Sequence, residues 1–269
     1  MRKWTLFLGL YFCAALLLGG CAMERTAAPV PPSPDPAAST GQEPAPRQSV
    51  TCRVVAAGED GALTLAELEG SGVYLLSAPE LEARPGQLVD VEYGELLETY
   101  PAQFGGTVTA AARPVTDGFD DRCGLYLRVL NELWEEDAGL NEGVEQAGVD
   151  LSATSLSESE RSAVAWAFAV QHGAEPVEGT WQQLIDRGYI SAWIEDPECD
   201  CLPVYQWENG CLYSIREKPM EGTYSLIPVT FDAEKWRSVT GAYFYCDCTA
   251  LRSEAGEWSG YTVGAHAIA

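Results

Sequence analysis

Histidine is nearly absent from this chain: 269 residues contain two, His172 and His266. There is no Gly-x-Ser-x-Gly elbow, no His-Glu-x-x-His, no Gly-x4-Gly-Lys and no Gly-x-Gly-x-x-Gly. The signature-bearing serine hydrolases, zinc proteases, P-loop enzymes and dinucleotide enzymes therefore have no foothold here. Carboxylate hydrolases leave no such signature and stay open. Lysine is scarce too, and beyond the first three residues only Lys218 and Lys235 occur. The whole chain carries 16 basic against 40 acidic residues, a net −24. That balance argues against nucleic acid, whose phosphates need Lys and Arg, and favours solubility, cations and basic partners.

Long apolar runs are also missing, with one short exception. Trp4–Leu18 is apolar apart from Thr5 and Gly9 and follows Arg2 and Lys3. A comfortable membrane span needs roughly 20 residues, and no basic stop-transfer cluster follows this run. It reads as the charged and apolar regions of a signal peptide. The run ends in Leu18-Gly-Gly-Cys21, which resembles the lipobox of bacterial lipoproteins. The resemblance implies cleavage after Gly20 and a diacylglyceryl group on the Cys21 thiol. The expected address is the cell membrane, lipid-anchored and facing outside the cytoplasm. Removal of residues 1–20 leaves 14 basic against 40 acidic residues. So acidic a chain does not adhere to anionic lipid by itself, and the lipid is the expected anchor.

Residues 22–48 hold seven prolines (29, 31, 32, 34, 36, 44 and 46) and almost no large apolar side chain. Such a segment cannot bury a core and favours polyproline II. Residues 21–48 are expected to be a lipidated, disordered, Pro-rich spacer. Eight tryptophans and twelve tyrosines point to real cores beyond it.

Residues 49–115 read as a small all-β domain. Val50–Ala56, Leu63/Leu65, Val73–Leu76, Val89/Val91/Tyr93 and Val108/Ala110/Ala112 are short alternating or apolar runs between turn signals. An OB-like barrel is expected. Residues 119–269 read as an α+β domain with an antiparallel sheet. Leu125, Tyr126, Val129, Leu130, Leu133 and Trp134 share one face of a helix whose start Asp120 or Asp121 can cap and whose end Gly139 can cap. A loop is expected to about Ser155. Ser157-x-x-Glu160 is a capping box for a helix stopping at Gly173, and Thr180 caps a shorter helix ending at Gly188. Val204–Trp207 and Cys211–Ile215 are expected to form a hairpin across Asn209-Gly210. Thr223–Thr230 reads as a strand, Asp232–Trp236 as a helical turn, and Gly241–Ala250 and Trp258–Ala265 as strands across Ala255-Gly256.

Gly86-Gln-Leu-Val-Asp-Val-Glu-Tyr93 with Glu98-Thr-Tyr-Pro-Ala102 resembles a small β domain of unknown function in Gram-positive lipoproteins. Cys123-Gly-Leu-Tyr126, Glu160–Gly173, Trp207-Glu-Asn-Gly-Cys211, Lys235-Trp-Arg237 and Gly241-Ala-Tyr-Phe244 resemble stretches of uncharacterised lipoproteins of the same origin. The resemblance implies an envelope lipoprotein and brings no activity or catalytic residue with it.

Seven cysteines follow Cys21: Cys52, Cys123, Cys199, Cys201, Cys211, Cys246 and Cys248. Export permits disulfides, with no pairing legible and one thiol left over. The two Cys-x-Cys pairs, Cys199/Cys201 and Cys246/Cys248, are weak candidates for a thiolate metal site. Cys246 and Cys248 are also expected to be buried on one strand face, continuing the Ala242/Phe244 stripe. His172, just before Gly173, suits a helix end where a cation meets the dipole, and His266 is expected to end a strand. Glu195, Asp196, Glu198 and Asp200 lack the alternation and glycine of a Ca²⁺ loop and read as a solvated loop. No catalytic residue and no cofactor are implied. The function expected is a non-catalytic binding or interaction module whose partner is an envelope protein or small ligand. The alternatives are an envelope hydrolase using carboxylates or a Cys–His pair, and a redox or metal-handling protein using the Cys-x-Cys pairs.

Overall fold

The computed structural model describes residues 47–58, 60–193, 202–219 and 228–269. Residues 45–269 form one compact unit. Its first sheet has seven strands: β1 (Gln48–Ala57), β2 (Ala62–Glu67), β3 (Val73–Ser77), β4 (Leu88–Tyr93), β5 (Glu95–Leu97), β6 (Ala102–Gly105) and β7 (Thr109–Ala112). The all-β reading of this part stands. The strand order is β5-β6-β3-β2-β1-β4-β7, a path with β5 and β7 at its ends and no closed barrel. All ladders are antiparallel except β3 with β6. The period-2 alternation does what it should. Cys52, Val54, Leu63, Leu65, Tyr74, Leu76, Val89, Val91 and Tyr93 bury one face as a core of their own. Val55, Ala66 and Val73 are buried in a second, larger core shared with the helices. Alternation along β1, β2 and β3 thus serves both cores, and the β1–β2 register shifts between Val54 and Ala56.

Three helices follow: α1 (Arg122–Glu135), α2 (Glu158–Gln171) and α3 (Trp181–Asp186). The N-caps expected at Ser157 and Thr180 are present. Ser157 and Glu160 close a capping box on α2, as Thr180 and Gln183 do on α3. Gly173 and Gly188 lie beyond their ends at φ 67° and 80°, where a glycine is at ease. α1 ends at Glu135, four residues before Gly139, because something other than a glycine finishes it (see Discussion).

The second sheet has nine strands: β8 (Gln146–Asp150), β9 (Glu175–Glu178), β10 (Ser191–Trp193), β11 (Val204–Gln206), β12 (Gly210–Glu217), β13 (Pro228–Ser238), β14 (Gly241–Arg252), β15 (Trp258–Thr262) and β16 (Ala265–Ile268). It is mixed rather than antiparallel. β12, β8 and β9 run parallel, and α2 is the crossover from β8 to β9. The loop expected before Ser155 thus contains a strand. Ala147, Gly148 and Val149 are buried together, so β8 shows no alternation to read. Asp232–Trp236 is strand, not a helical turn. Its residues are helix formers, but β12 and β14 pair with it on both sides. β11 pairs β10 and β13 instead of making a hairpin with β12. The Trp207 indole lies over Gly148 and Gly210, and a Cβ on Gly148 would fall 2.5 Å from Cζ3, so either glycine with a side chain would displace that ring.

α1 and α2 lie between the sheets. Leu125, Tyr126, Val129, Leu130 and Leu133 of α1 and Val164, Phe168 and Ala169 of α2 share one core with Tyr213, Phe231 and Tyr245 of the second sheet.

Candidate functional site

A cleft of about 530 Å³ runs along α1. One wall is the end of β1, Val55–Ala57, with Pro85. The other is the α1 stripe Asp121, Gly124, Leu127, Arg128, Asn131 and Glu135, and the end of α2 contributes Gln171 and His172. The i, i+3, i+4 spacing on α1 puts these residues on one helix face.

Asp121 is the N-cap of α1, yet its side chain caps nothing, since its backbone sits at φ −92°, ψ 29° instead of extended. Asp120 does that work: its Oδ1 accepts from the Arg122 N–H (3.1 Å) and from Trp258 Nε1 (2.8 Å). Asp121 Oδ1 is buried without a hydrogen-bond partner. Buried polar atoms are nearly always paired, so each exception needs a reason. Among the described residues two other side-chain atoms share this condition, Arg122 Nε and Arg252 Nε. Both belong to guanidiniums otherwise engaged, Arg122 over the Trp258 ring and Arg252 on the Phe119 carbonyl. Asp121 has no such engagement. Burial pushes its carboxyl up from 3.8 to about 6, Arg128 and Arg84 opposing and Asp120 and Glu257 adding to the rise.

Below pH 3.8 the carboxyl is protonated in both folded and unfolded chains and costs nothing; between 3.8 and about 6 the folded chain holds the proton more tightly, and above that the ionisation penalty is complete. Asp121→Asn keeps the volume and removes the charge. We expect it to stabilise the fold by about 2 kcal/mol at pH 7.5, after discounting for partial exposure, and by about a third of that at pH 4.5. Urea midpoints at the two pH values test this, and equal midpoints at pH 7.5 would contradict it.

At the other end of the cleft, His172 is the α2 C-cap. Its ring stacks on Trp134 at 4.1 Å and meets the edge of Phe168 at 5.0 Å. Its Nε2 pairs with Asn131 Oδ1 at 2.9 Å. Burial lowers its pKa, against the pull of Glu135. The expected helix end is there, and burial among these aromatics works against the cationic form expected at it. His266 lies inside β16, with Nδ1 on Tyr243 Oη at 3.1 Å. Neither ring's hydrogen bond goes to a cysteine.

Cys52, Cys123, Cys211 and Cys248 are buried thiols. Burial raises the pKa of each, that of Cys211 to about 12. Cys211 Sγ donates to the Trp236 carbonyl at 3.2 Å. Cys246 and Cys248 do not share a face. Asp247 has φ 54°, and the β13–β14 register shifts between Phe231 and Ala233. This bulge sends Cys248 into the central core with Tyr245 and Ala250, while Cys246 lines a small recess with Phe244. Lys218 Nζ pins it, 2.6 Å from Asp232 Oδ1 and 2.7 Å from Asp247 Oδ1. Among the described residues no group of three or more His, Cys, Asp or Glu is placed to hold a metal. Cys21, Cys199, Cys201, Glu195, Asp196, Glu198 and Asp200 lie outside the described residues.

A second cleft, about 340 Å³, lies at the carboxyl ends of β8 and β9. Its polar groups satisfy one another: Ser162 with Glu178 (2.8 Å), Ser152 with Asp150 (2.6 Å) and Thr180 with Gln183. Of these two clefts, the α1 cleft is the one lined by a residue with an unpaired buried oxygen, Asp121. No protein family matches this chain, nor does any curated protein or solved structure.

Proposed function

We propose that the chain is a lipid-anchored, extracytoplasmic envelope protein, tethered through Cys21 and the proline-rich spacer. In this reading its folded part is a non-catalytic binding module, and the α1 cleft is its ligand site. The observation that carries the site is the unpaired Oδ1 of Asp121, the one carboxylate oxygen among the three buried side-chain atoms of the described residues that lack a hydrogen-bond partner. A fold gains nothing from a carboxylate whose ionisation costs stability at neutral pH, whereas a ligand that meets it does. The same reading takes the first sheet as OB-like. Its support is that β1 is flanked by β2 and β4, that β3 and β6 run parallel, and that β4–β5 and β6–β7 form one ribbon bending where Gly94 meets Gly106. The lipobox, the acidic mature chain and the resemblance to Gram-positive lipoproteins support the address.

Two measurements test these statements. In a bacterial host fed labelled palmitate, the wild-type chain is expected to carry label and stay with the membrane. Cys21→Ala should lose the label and leave the membrane fraction; label retained on Cys21→Ala would refute the anchor. For the site, hydrogen exchange of the full chain with a soluble envelope extract should show protection at residues 55–57 and 121–135. Protection elsewhere, or none, removes the cleft as the binding site.

A further inference from the structure

The cleft at the carboxyl ends of β8 and β9 lies where the second sheet changes the side on which its connections run. The connection after β8 leads to α2, which packs on the sheet face of Ala147, Val149 and Tyr213. The connection after β9 leads to α3, which packs on the opposite face with Val177, Leu212 and Trp236. Neighbouring parallel strands whose connections leave to opposite faces open a crevice between them, and α/β sheets bind ligands in such crevices. This one, about 340 Å³, is lined from β8, α2, β9 and α3 at once. We infer that it is a second ligand site, separate from the α1 cleft, and that it takes a small zwitterion, an ammonium and a carboxylate on a chain of one or two amino-acid residues.

Four charged side chains line the crevice: Asp150, Glu158, Arg161 and Glu178. The hydrogen bonds that orient three of them go to neutral groups. Asp150 Oδ1 accepts from the Ser152 N–H (3.0 Å) and hydroxyl (2.6 Å). Glu178 Oε1 accepts from the Tyr100 hydroxyl (3.2 Å) and Oε2 from Ser162 (2.8 Å). Arg161 Nη1 donates to the Leu156 carbonyl at 2.9 Å. Glu158 is exposed and stands three residues before Arg161 on α2, a spacing at which an acid and a base can pair. Yet none of the four takes part in an ion pair among the described residues. Arg187 is occupied by the Glu178 carbonyl and the Tyr189 ring. Carboxylates and a guanidinium thus share one crevice, held in place and with their charges unmatched.

The mixture of signs selects the ligand. A metal ion would meet Arg161 and the positive end of the α2 dipole, and among the described residues no three acids are placed around one point. A simple anion would face three carboxylates, and a simple amine would leave Arg161 unmatched. A zwitterion sets its carboxylate on the Arg161 guanidinium, whose planar fork suits it, and the α2 dipole adds to that contact. Its ammonium, with three donors, meets Glu178 and Asp150. These two come from the ends of adjacent strands, where Val149 pairs with Glu178. Val149 and Leu151 supply carbon surface for a small side chain.

Calorimetry on the full chain at pH 7 and 0.15 M salt tests this, with alanine and alanyl-alanine as the two zwitterions. N-acetylalanine carries only the carboxylate and alaninamide only the ammonium. The better zwitterion is expected to bind at least about tenfold tighter than either control, and which of the two it is tells a free amino acid from a dipeptide. Arg161→Gln should bring that zwitterion down to the affinity of alaninamide, and Glu178→Gln down to that of N-acetylalanine. Arg161→Lys, which keeps the charge, should lose less than Arg161→Gln. Glu80→Gln, an exposed acid in the connection after β3, should change affinity less than about twofold. Hydrogen exchange with the bound zwitterion should show protection at residues 149–152, 158–162 and 178–183. No heat from either zwitterion, affinity no better than the controls, or an equal loss with Glu80→Gln would overturn the inference. So would an Arg161→Gln variant that weakens alaninamide as much as the zwitterion, since the guanidinium would then be structural only. Protection at 55–57 and 121–135 instead would overturn it and leave the α1 cleft a site, so the two readings fail separately.

Discussion

Lys235→Met is expected to lower the stability of the folded part by about 3 kcal/mol, although no acid pairs with this lysine. Lys235 is completely buried in β13. Its ammonium donates to the carbonyls of Trp134 (3.0 Å), Glu136 (2.6 Å) and Asp137 (3.2 Å). Those oxygens belong to the end of α1 and the turn just after it, where helical carbonyls run out of partners. Asp137, at φ 42°, turns the chain there. A lysine from a neighbouring strand thus finishes the helix where a glycine was expected. Hydrogen bonds to a charged donor are worth roughly 1.5–3 kcal/mol each. Burying the ammonium offsets part of that gain, and it pulls the Lys235 pKa below the ordinary lysine value. Methionine keeps the stem and the packing, so the loss isolates the three bonds. A guanidinium midpoint shifted at constant slope is the expected readout. A change under about 0.5 kcal/mol would mean that desolvation had already cancelled the bonds. Hydrogen exchange should rise most at residues 134–141, which sit beside the Glu135 end of the cleft.

What could be read from the sequence follows the range of the forces involved. Capping boxes and left-handed glycines act within a few residues, so Ser157, Thr180, Gly173 and Gly188 announced their helices. The first sheet, one face to each core, kept its alternation visible. β8 and β9 are short, their partners are distant, and β8 is buried through its middle, so neither left a local trace. Asp232–Trp236 shows the opposite failure, local helix preference overridden by two neighbouring strands. The bulge at Asp247 uses a left-handed non-glycine, which no spacing rule foretells, and it parts Cys246 from the buried face on which Cys248 stays. Of the cleft, Asp121 was visible only as one of two possible caps, and His172 only as a helix end. The missed residues had a signal. Arg53 is the one cation inside β1, and Lys235 is, with Arg237, one of two inside β13, in a chain poor in cations. A cation in that setting must find partners on another element.

Arg53 makes the second large prediction. Its Nε donates to Glu160 Oε1 at 2.8 Å, and the same guanidinium reaches the carbonyls of Gly86 (2.9 Å), Gly118 (3.0 Å) and Asp120 (3.3 Å). β1, the turn before β4, the approach to α1 and the start of α2 therefore meet on one side chain. Glu160 is itself committed, because its Oε2 accepts from the Ser157 N–H at 2.9 Å to close the capping box. Arg53→Met leaves Glu160 Oε1 and the carbonyls of Gly118 and Asp120 without this donor in a largely buried place, while the Gly86 carbonyl keeps the Asp120 N–H at 3.1 Å. The expected cost is about 4 kcal/mol, the range for breaking a buried ion pair from one side. Glu160→Gln keeps the Ser157 contact and should cost about 1.5 kcal/mol less. The two changes share a network, so the double variant is expected to fall short of their sum by at least about 1 kcal/mol. Unfolding of Arg53→Met should remain a single transition. Val55, Ala66 and Val73 still bury themselves against α1 and α2, and Ser159 Oγ still donates to the Glu67 carbonyl at 2.7 Å. The chain offers a direct check. None of its eight tryptophans falls in the first sheet, whereas Tyr74 and Tyr93 do. Tryptophan fluorescence and the slow exchange of the β4 amides therefore report on different sheets. Coincident midpoints are expected. Exchange in β4 that opens well before the fluorescence changes would show that Arg53 alone held the first sheet in place, and that the shared core does not couple the two.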